Sequence, residues 1–445
     1  MGLLNDLETV IAGFGRLTRP KASPSTTSLV SVPSKKRKIM FFCETQDNSH
    51  GVPVVMNNIA QELRESGAYD VYMLINGFDK PQLALYLPTE PRPVVVRDRE
   101  ELVRVAGNVL SDIDILHIHS WHFADPFVYF DDPKQHNSMP AAQFLSHFPR
   151  AKVVFTDHSN PTEDLDTILT EHGLHYESLS ERERVEFLES TRLRERDSRF
   201  NAYRWDNGWP QTAALCRARM YSLADVVTHV SRHQWDVNRE LVPGNHDEEK
   251  HVVVYNGIDL IRYSSSPRLL SLATEIRRRY RILDGEQVIF YSGRATEAKG
   301  FYDLLDALLL LQEQQPDISY KVMIATKTHG VVDETSRRYP SLRERLIFTP
   351  YIEDREELAA HYKLADVLVQ PTRGECFNQA IGEALAVGTP TITTNFSGPK
   401  EVYVDRGISY GVPVRDPSAL AQTLNAVLRH PEDSHEMASR GQIYV

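Results

Sequence analysis

Short apolar runs recur along this chain, and several are followed by a polar loop and a helical pattern. Runs of this length without polar alternation are typical of strands buried on both faces of a parallel sheet. Their repeated succession with helices predicts an α/β protein built from βαβ units. The predicted strands are Lys38–Glu44, Tyr69–Ile75, Ile113–Ile118, Lys152–Thr156, Val226–Val230, Val288–Ser292, Lys321–Ala325, Leu346–Phe348, Ala365–Val369 and Thr391–Thr393.

The chain has 445 residues, which is enough for two domains. Residues 1–37 predict an extension, an amphipathic helix followed by a linker. Three surfaces are open to this helix: the body of the protein, a partner or a membrane. A second copy of the chain as the partner would make an oligomer. Residues 38–250 form the first predicted domain, with a charged insertion at about 160–211, and residues 251–445 form the second.

Charge and composition narrow the class of protein. The formal net charge of −11 argues against non-specific binding to nucleic acid and against adhesion to anionic membranes. No apolar run approaches the roughly 18 residues needed to cross a bilayer. The cysteines Cys43, Cys216 and Cys376 show no paired spacing, so we expect a reducing compartment and a cytoplasmic protein.

Two carboxylates eight positions apart, Glu375 and Glu383, mark the stretch around which the second half is organised. A helix is predicted over 378–387, and Gly388 ends it. Glu375 then lies in the strand-to-helix loop, at the carboxyl end of a strand, where open α/β sheets bind ligands. Amides at the helix start suit a phosphate, and carboxylates accept hydrogen bonds from sugar hydroxyls. The pattern therefore favours a nucleotide-sugar ligand, against the alternative that Glu375 caps the helix and Glu383 is a solvated surface residue.

A second loop carries Gly293, Arg294 and Lys299 between a predicted strand and a helix that begins at Phe301. Two cations and a helix amino terminus at one place predict a diphosphate site. The alternative is two solvated basic residues in a turn.

These motifs together resemble one family. The Glu-x7-Glu spacing is followed by EALAVGTPTI and FSGPKEV, and SGR…KG and NGID precede it. The chain from about Lys38 to Ala438 resembles the retaining GT-B glycosyltransferases, the nucleotide-sugar-dependent glycosyl transferases group 1. The resemblance implies two Rossmann-like α/β domains with parallel sheets facing a central cleft, the donor on the second and the acceptor on the first.

The resemblance also implies roles for individual residues of the second domain. Glu383 would hold the nucleotide ribose and Glu375 the donor sugar hydroxyls. The amides of Phe377 and Asn378 would orient the sugar and the phosphate. Ile352 lies in the loop that contacts the nucleotide base in this family.

In the first domain the resemblance points to His158 and Gly51. His158 follows a predicted strand and matches the position whose histidine contacts the donor sugar; the alternative is a cap for the next segment. Gly51 is the glycine that remains in the first loop, where Ser49 and His50 replace the usual neighbour. His117, His119 and His122 lack the partner spacing of a zinc site, so no metal is predicted.

The implied reaction is transfer of a hexose from a UDP- or GDP-sugar to a hydroxyl acceptor, with retention. Arg294 and Lys299 would stabilise the charge of the departing diphosphate, so no cofactor is expected. The acceptor would be a saccharide, a glycoconjugate or a small metabolite. A sugar-nucleotide epimerase, a sugar phosphorylase and a non-catalytic sugar-binding or scaffolding subunit stay open as alternatives.

Overall fold

The computed structural model describes most of both halves of the chain. The described residues are 36–43, 51–76, 83–90, 92–119, 128–129, 138–139, 141–158, 178–180, 217–242, 247–263, 266–327 and 330–445. The predicted amino-terminal helix, Ser49, His50, His122 and nearly all of the predicted insertion lie outside them. The described residues form two compact units, one ending at Tyr255 and one comprising Asn256–Val445.

An eight-stranded sheet organises the first unit, in the order β10-β9-β8-β5-β1-β2-β3-β4. The six strands from β10 to β2 are parallel, while β3 and β4 add antiparallel at one edge. A separate pair, β6 and β7, is antiparallel. The strands are β1 Arg37–Cys43, β2 Tyr69–Asn76, β3 Leu83–Tyr86, β4 Val94–Val96, β5 Ile115–Ile118, β6 Val128–Tyr129, β7 Ser138–Met139, β8 Lys152–Asp157, β9 Val226–His229 and β10 His251–Val253.

Both faces of this sheet are covered, which explains its uninterrupted apolar runs. Along β1, Met40 and Phe42 join one core cluster while Ile39 and Phe41 join another, since alternate side chains point to opposite faces. The helices of this unit include α1 Gly51–Glu65, α2 Arg99–Asn108, α3 Ala141–Leu145 and α4 Arg232–Leu241.

The second unit is a six-stranded parallel sheet in the order β13-β12-β11-β14-β15-β16. Its strands are β11 Gln287–Ser292, β12 Tyr320–Ala325, β13 Leu346–Thr349, β14 Val367–Gln370, β15 Thr391–Thr394 and β16 Tyr410–Val412. Its helices are α5 Pro267–Arg279, α6 Phe301–Gln314, α7 Val331–Arg338, α8 Arg355–Leu364, α9 Gln379–Ala386, α10 Pro417–Arg429 and α11 Pro431–Tyr444. A short helical turn, Ser397–Pro399, runs into the π-helix Lys400–Val404.

The prediction of an α/β protein with parallel sheets in two domains is confirmed, and the predicted strands match within about two residues. The predicted strand Ile113–Ile118 begins later, at Ile115, because a 3₁₀ turn occupies Leu110–Asp112. The structure also pairs His251–Val253 with β9, so the first unit extends slightly beyond residue 250. Among the described residues, no helix is both long and apolar enough to span a membrane.

The strand order places a ligand site. In the second sheet the chain starts at β11, builds outward through β12 and β13, and then returns to the other side of β11 with β14. The strand order therefore reverses between the adjacent strands β11 and β14. Open α/β sheets bind ligands beside the loops at such a topological switch point. The first sheet has the equivalent point between β1 and β5.

Gly300 is where the loops after β11 and β14 touch. It has a φ of +67°, and a Cβ built on it would lie 1.8 Å from the Pro371 carbonyl oxygen. Close by, the Arg373 N–H donates to the Ala298 carbonyl at 2.9 Å. Only glycine fits this combination of left-handed backbone and close approach.

We expect Gly300→Ala to destabilise the second unit more than Gly285→Ala. Gly285 also has a positive φ of +84°, but nothing lies within 4 Å of its built Cβ. The control therefore carries only the left-handed penalty, about 1–2 kcal/mol, while Gly300→Ala adds roughly 1–3 kcal/mol of overpacking. Urea denaturation followed by far-ultraviolet circular dichroism measures both. Equal losses would contradict the assigned collision with Pro371.

Candidate functional site

An ion pair joins two of the predicted site residues. The Lys299 Nζ lies 2.5 Å from the Glu375 Oε1, and the two side chains are 15% and 22% exposed. Lys299 belongs to the loop after β11 and Glu375 to the loop after β14, so the switch point brings them together. The structure thus places a cation and a carboxylate in contact at the predicted donor site.

The Glu375 loop rests on the FSG segment. The Glu375 N–H donates to the Ser397 Oγ at 3.0 Å, and the Gly398 N–H donates to the Glu375 carbonyl at 2.9 Å. A Cβ on Gly398 would lie 1.9 Å from the Cys376 carbonyl oxygen. The small residues Ser397 and Gly398 therefore let the two backbones approach closely and fix the position of the Glu375 backbone.

Asn378, not Glu375, is the N-cap residue of α9. It has a φ of +64°, and its side chain makes no capping hydrogen bond to the N–H groups of the first helical turn. Phe377 and Asn378 are both buried, and the Tyr403 hydroxyl donates to the Asn378 carbonyl at 3.2 Å. The alternative in which Glu375 caps this helix is wrong, because Glu375 pairs with Lys299.

Glu383 is 5% exposed, so the alternative of a solvated residue is also wrong. The Tyr362 hydroxyl donates to its Oε2 at 2.9 Å, and the Arg355 Nη1 lies 3.8 Å from its Oε1. Burial raises the pKa of Glu383, and the Arg355 charge and the Tyr362 hydrogen bond act in the opposite direction. Glu383 therefore presents a partnered carboxylate inside the unit.

The remaining predicted residues of the second unit occupy two loops. Gly293 and Arg294 follow β11; the Gly293 N–H donates to the Ala325 carbonyl at 3.0 Å, and the Arg294 side chain is exposed. Ile352 lies half-buried in the loop between β13 and α8. This loop ends at Asp354, which caps α8 just before Arg355. The base loop of the resemblance is thus linked to Glu383 through Arg355.

Sequence reasoning missed Arg373. Its guanidinium donates to both carboxylate oxygens of Asp303, at 3.0 and 2.8 Å, and to Glu297 at 2.5 Å. Arg373 is 9% exposed and Asp303 7%, so the bidentate pair is buried. This pair holds the loop that contains Glu375 against α6. A charged residue within the apolar face of α6, at Asp303, was the available signal.

Three histidines gather at the carboxyl ends of β5 and β8 in the first unit. The His119 Nδ1 lies 3.0 Å from the His158 Nε2, and the His117 Nε2 lies 2.7 Å from the Thr156 Oγ1. Burial lowers the pKa of His117 to about 3 and that of His158 to about 4, and holds the pKa of His119 well below its usual value. All three rings are therefore neutral at physiological pH.

Gly51 begins helix α1, and the loop that precedes it lies outside the described residues. Within the described part of the chain, no group of three or more histidine, cysteine, aspartate or glutamate side chains could hold a metal ion.

Known proteins resemble this chain in sequence and in fold. Residues 273–443 match the family model described as glycosyl transferases group 1. A D-inositol 3-phosphate glycosyltransferase of Corynebacterium urealyticum is 27% identical over 241 residues, 52% of this chain and 55% of that protein. A phosphatidyl-myo-inositol mannosyltransferase of Mycobacterium tuberculosis is 29% identical over 184 residues, 40% of this chain and 45% of that protein. The chain thus spans about half the length of these curated relatives.

Solved structures share the fold over nearly the whole chain. A sucrose-phosphate synthase from Thermosynechococcus elongatus superimposes with a TM-score of 0.60 at 18% identity, covering 92% of this chain and 93% of that one. The Anabaena protein HepE in complex with UDP-glucose gives 0.57 at 14% identity, with 91% and 93% coverage. The predicted GT-B fold is confirmed.

We expect Asp303→Ala to destabilise the second unit by about 3–5 kcal/mol, because it leaves the buried Arg373 without its bidentate partner. The matched control is Asp317→Ala, which breaks the ion pair with Arg429 at 2.8 Å, where the Asp317 side chain is 66% exposed. Such an exposed pair contributes little to stability, because solvent screens it. Urea denaturation of both variants measures the contrast, and similar losses would refute a structural role for Arg373.

The lowered pKa of His117 makes the first unit less stable in acid. The unfolded histidine takes up a proton near pH 6.5 and the folded one only near pH 3, so stability falls as the pH drops through this window. Between pH 7 and pH 5 the loss from one such residue is about 2 kcal/mol. We expect His117→Gln to lessen the pH dependence by that amount.

Tryptophan fluorescence in urea gives the measurement, because Trp235 is buried in the first unit and residues 256–445 contain no tryptophan. The comparison of the two pH values within each variant separates the titration from any loss of packing. An unchanged difference between pH 7 and pH 5 in His117→Gln would show that His117 is already protonated in the folded state or never buried.

Proposed function

Since residues 273–443 match the family model described as glycosyl transferases group 1, we propose that the protein is a retaining glycosyltransferase. It transfers a hexose from a UDP- or GDP-sugar to a hydroxyl acceptor. The single observation that carries this proposal is the Lys299–Glu375 pair beside the switch point of the second sheet. A cation for a diphosphate and a carboxylate for sugar hydroxyls meet there.

Helix termini add to the cation. Gly300 and Asn378 are the N-cap residues of α6 and α9, and neither makes a side-chain capping bond. By contrast, Ser266, Asp354 and Asp416 cap α5, α8 and α10. The Phe301 N–H donates to the Thr296 carbonyl and the Ile381 N–H to the Asn378 carbonyl. The other first-turn amides of α6 and α9 are proposed to meet the ligand, since a helix amino terminus favours an anion.

In the proposed reaction the bond between the anomeric carbon and the diphosphate oxygen breaks, and a bond to the acceptor oxygen forms on the same face. The acceptor proton passes to the departing phosphate oxygen, so no protein base is required. Arg294, Lys299 and the helix amides stabilise the charge that gathers on the diphosphate, which is the role that a metal ion has in other enzymes.

Binding roles follow for the remaining residues. Glu383 accepts hydrogen bonds from the ribose, Glu375 from the donor sugar, and the amides of Phe377 and Asn378 orient the sugar and phosphate. Ile352 contacts the base through its backbone. The neutral His158 contacts the donor sugar, and Gly51 lets the first loop approach the ligand.

The acceptor is proposed to be a saccharide, glycoconjugate or small metabolite. The named activities of the relatives support a polyol-type acceptor, since one is called a D-inositol 3-phosphate glycosyltransferase and another a phosphatidyl-myo-inositol mannosyltransferase. The HepE complex with UDP-glucose supports a uridine donor.

The test is thermal stability against a panel of nucleoside diphosphates and nucleotide-sugars. A ligand at about 100 times its dissociation constant adds about 2.7 kcal/mol, which at about 2–4 °C per kcal/mol raises the melting temperature by roughly 5–10 °C. We expect UDP or GDP and the matching sugar nucleotides to give this rise in the wild type. Glu383→Ala loses the rise, because the ribose hydroxyls lose their acceptor.

The matched control is Glu344→Ala, which removes the same charge from an exposed position of the same unit. It keeps the full rise. The stabilising nucleotide-sugar is then incubated with polyol acceptors, and nuclear magnetic resonance reads the anomeric configuration of the product. An unshifted wild type, or release of an altered monosaccharide without an acceptor, would overturn the proposal in favour of a scaffold, a phosphorylase or an epimerase.

A further inference from the structure

Four polar side chains meet inside the second unit at Glu383, and we call them the Glu383 cluster: Glu383, Arg355, Tyr362 and Tyr263. Arg355 and Tyr362 stand two turns apart on α8, Glu383 lies on α9, and Tyr263 lies in the segment before α5. Tyr263, Tyr362 and Glu383 are nearly fully buried, at 3%, 1% and 5% exposure. The cluster therefore combines a carboxylate, a guanidinium and two phenols away from water.

The carboxylate of this cluster needs a cation. Burial favours the neutral form of Glu383, and the phenols that face it stay uncharged, because burial raises the pKa of Tyr263, of Tyr362 and of Tyr403 beyond them. Arg355 supplies the positive charge among the groups that act on Glu383. A guanidinium holds its charge at all relevant pH values.

The geometry divides the two oxygens of Glu383 between different tasks. Its Oε2 accepts the Tyr362 hydroxyl at 2.9 Å. Its Oε1 is 3.8 Å from the Arg355 Nη1, which is beyond hydrogen-bond length but close for an ion pair. Tyr263 also hydrogen-bonds to this carboxylate. Arg355 therefore balances the charge from a distance, and since a carboxylate has about four acceptor sites, Glu383 keeps capacity to accept hydrogen bonds from a diol.

The place of Arg355 in its helix supports this assignment. It is the first residue of α8, directly after the N-cap Asp354, where the helix dipole disfavours a cation. The neighbouring Glu356 does not hold it, since Glu356 pairs with Arg268 at 2.7 Å. Arg355 also borders a cavity of about 410 Å³ with Ile261 and Leu269. An arginine at this unfavourable position is explained by its partner, Glu383.

We propose that Arg355 is a positioning residue for the nucleotide: it balances the Glu383 carboxylate from 3.8 Å and leaves that carboxylate as the acceptor for the ribose diol. This inference rests on the proposed function. Arg355 itself acts through Glu383, so its removal changes how nucleotide binding and stability depend on pH.

The first arm of the test needs no ligand. In Arg355→Gln the buried Glu383 loses its cation, so its folded pKa rises further above the unfolded value of about 4.5. A raised carboxyl pKa gives stability that is present in acid and lost as the pH rises through the folded pKa. We expect the melting-temperature deficit of Arg355→Gln against wild type to grow by several degrees from pH 5.5 to pH 8.5.

Three further variants make this arm specific. Glu383→Gln on the Arg355→Gln background abolishes the growth of the deficit, because no carboxylate remains to titrate. Arg355→Lys restores most of the wild-type behaviour. Arg268→Gln removes the same charge from α5, where Arg268 pairs with Glu356 in the first turn of α8, and the deficit of this variant does not grow with pH. A deficit that is constant with pH, or that Glu383→Gln leaves unchanged, overturns the proposal.

The second arm measures the dissociation constant of UDP, or of GDP if GDP stabilises the wild type, by isothermal titration calorimetry. We expect Arg355→Gln to bind at least tenfold more weakly at pH 6, because loss of the Arg355 charge favours the protonated form of Glu383, and to recover much of this at pH 8.5. Arg268→Gln binds as the wild type does. Equal binding by Arg355→Gln and wild type at both pH values overturns the positioning role and leaves the proposed function standing.

Failure of the proposed function looks different. If the wild type binds neither nucleotide, the donor-site assignment falls, and the ribose role of Arg355 falls with it, whatever the stability arm shows. The two failures are thus distinguished by whether binding is absent from the wild type or merely insensitive to Arg355.

Discussion

A carboxylate that leaves water must find a positive charge or give up its own, and three pairs in the second unit show how this constraint shapes the molecule. Glu375 lies against Lys299, Asp303 against Arg373, and Glu383 beside Arg355. Each pair joins different elements of the unit. Because breaking a buried pair costs about 3–5 kcal/mol, the same contacts that serve the candidate site also hold its loops in place.

The three pairs differ in what they leave open. Arg373 donates two hydrogen bonds to the buried Asp303, which assigns that pair a structural role. Lys299 and Glu375 are partly exposed. Arg355 lies 3.8 Å from Glu383, whose carboxylate also accepts from Tyr362 and Tyr263. Rigid support, ligand contact and charge balance are thus assigned to separate cations within one unit.

Much of the fold could be predicted from the sequence, because the strands are buried on both faces and their apolar runs are uninterrupted. Glu375, Glu383 and Lys299 were predicted for a different reason, since short sequence motifs mark the loops that carry Glu375 and Lys299 and the helix α9 that carries Glu383. Arg373 and Arg355 could not be found in this way. Arg373 meets Asp303 seventy positions away in sequence, and an arginine in a polar loop looks solvated until the fold supplies its partner. The neutral state of His158 likewise depends on burial, which only the assembled sheet reveals.

The strand order of the second sheet also decides when the site comes into being. Lys299 follows the first strand of that sheet to be made, while Glu375 follows the fourth, 76 residues later. Contacts of this sequence separation form slowly, because the long loop must close before the pairing is rewarded. During synthesis, the cationic loop emerges before the carboxylate that neutralises it. The Lys299–Glu375 pair is therefore a marker of completed folding, and a nascent chain that stops short of residue 375 has the cation of the proposed donor site without its carboxylate.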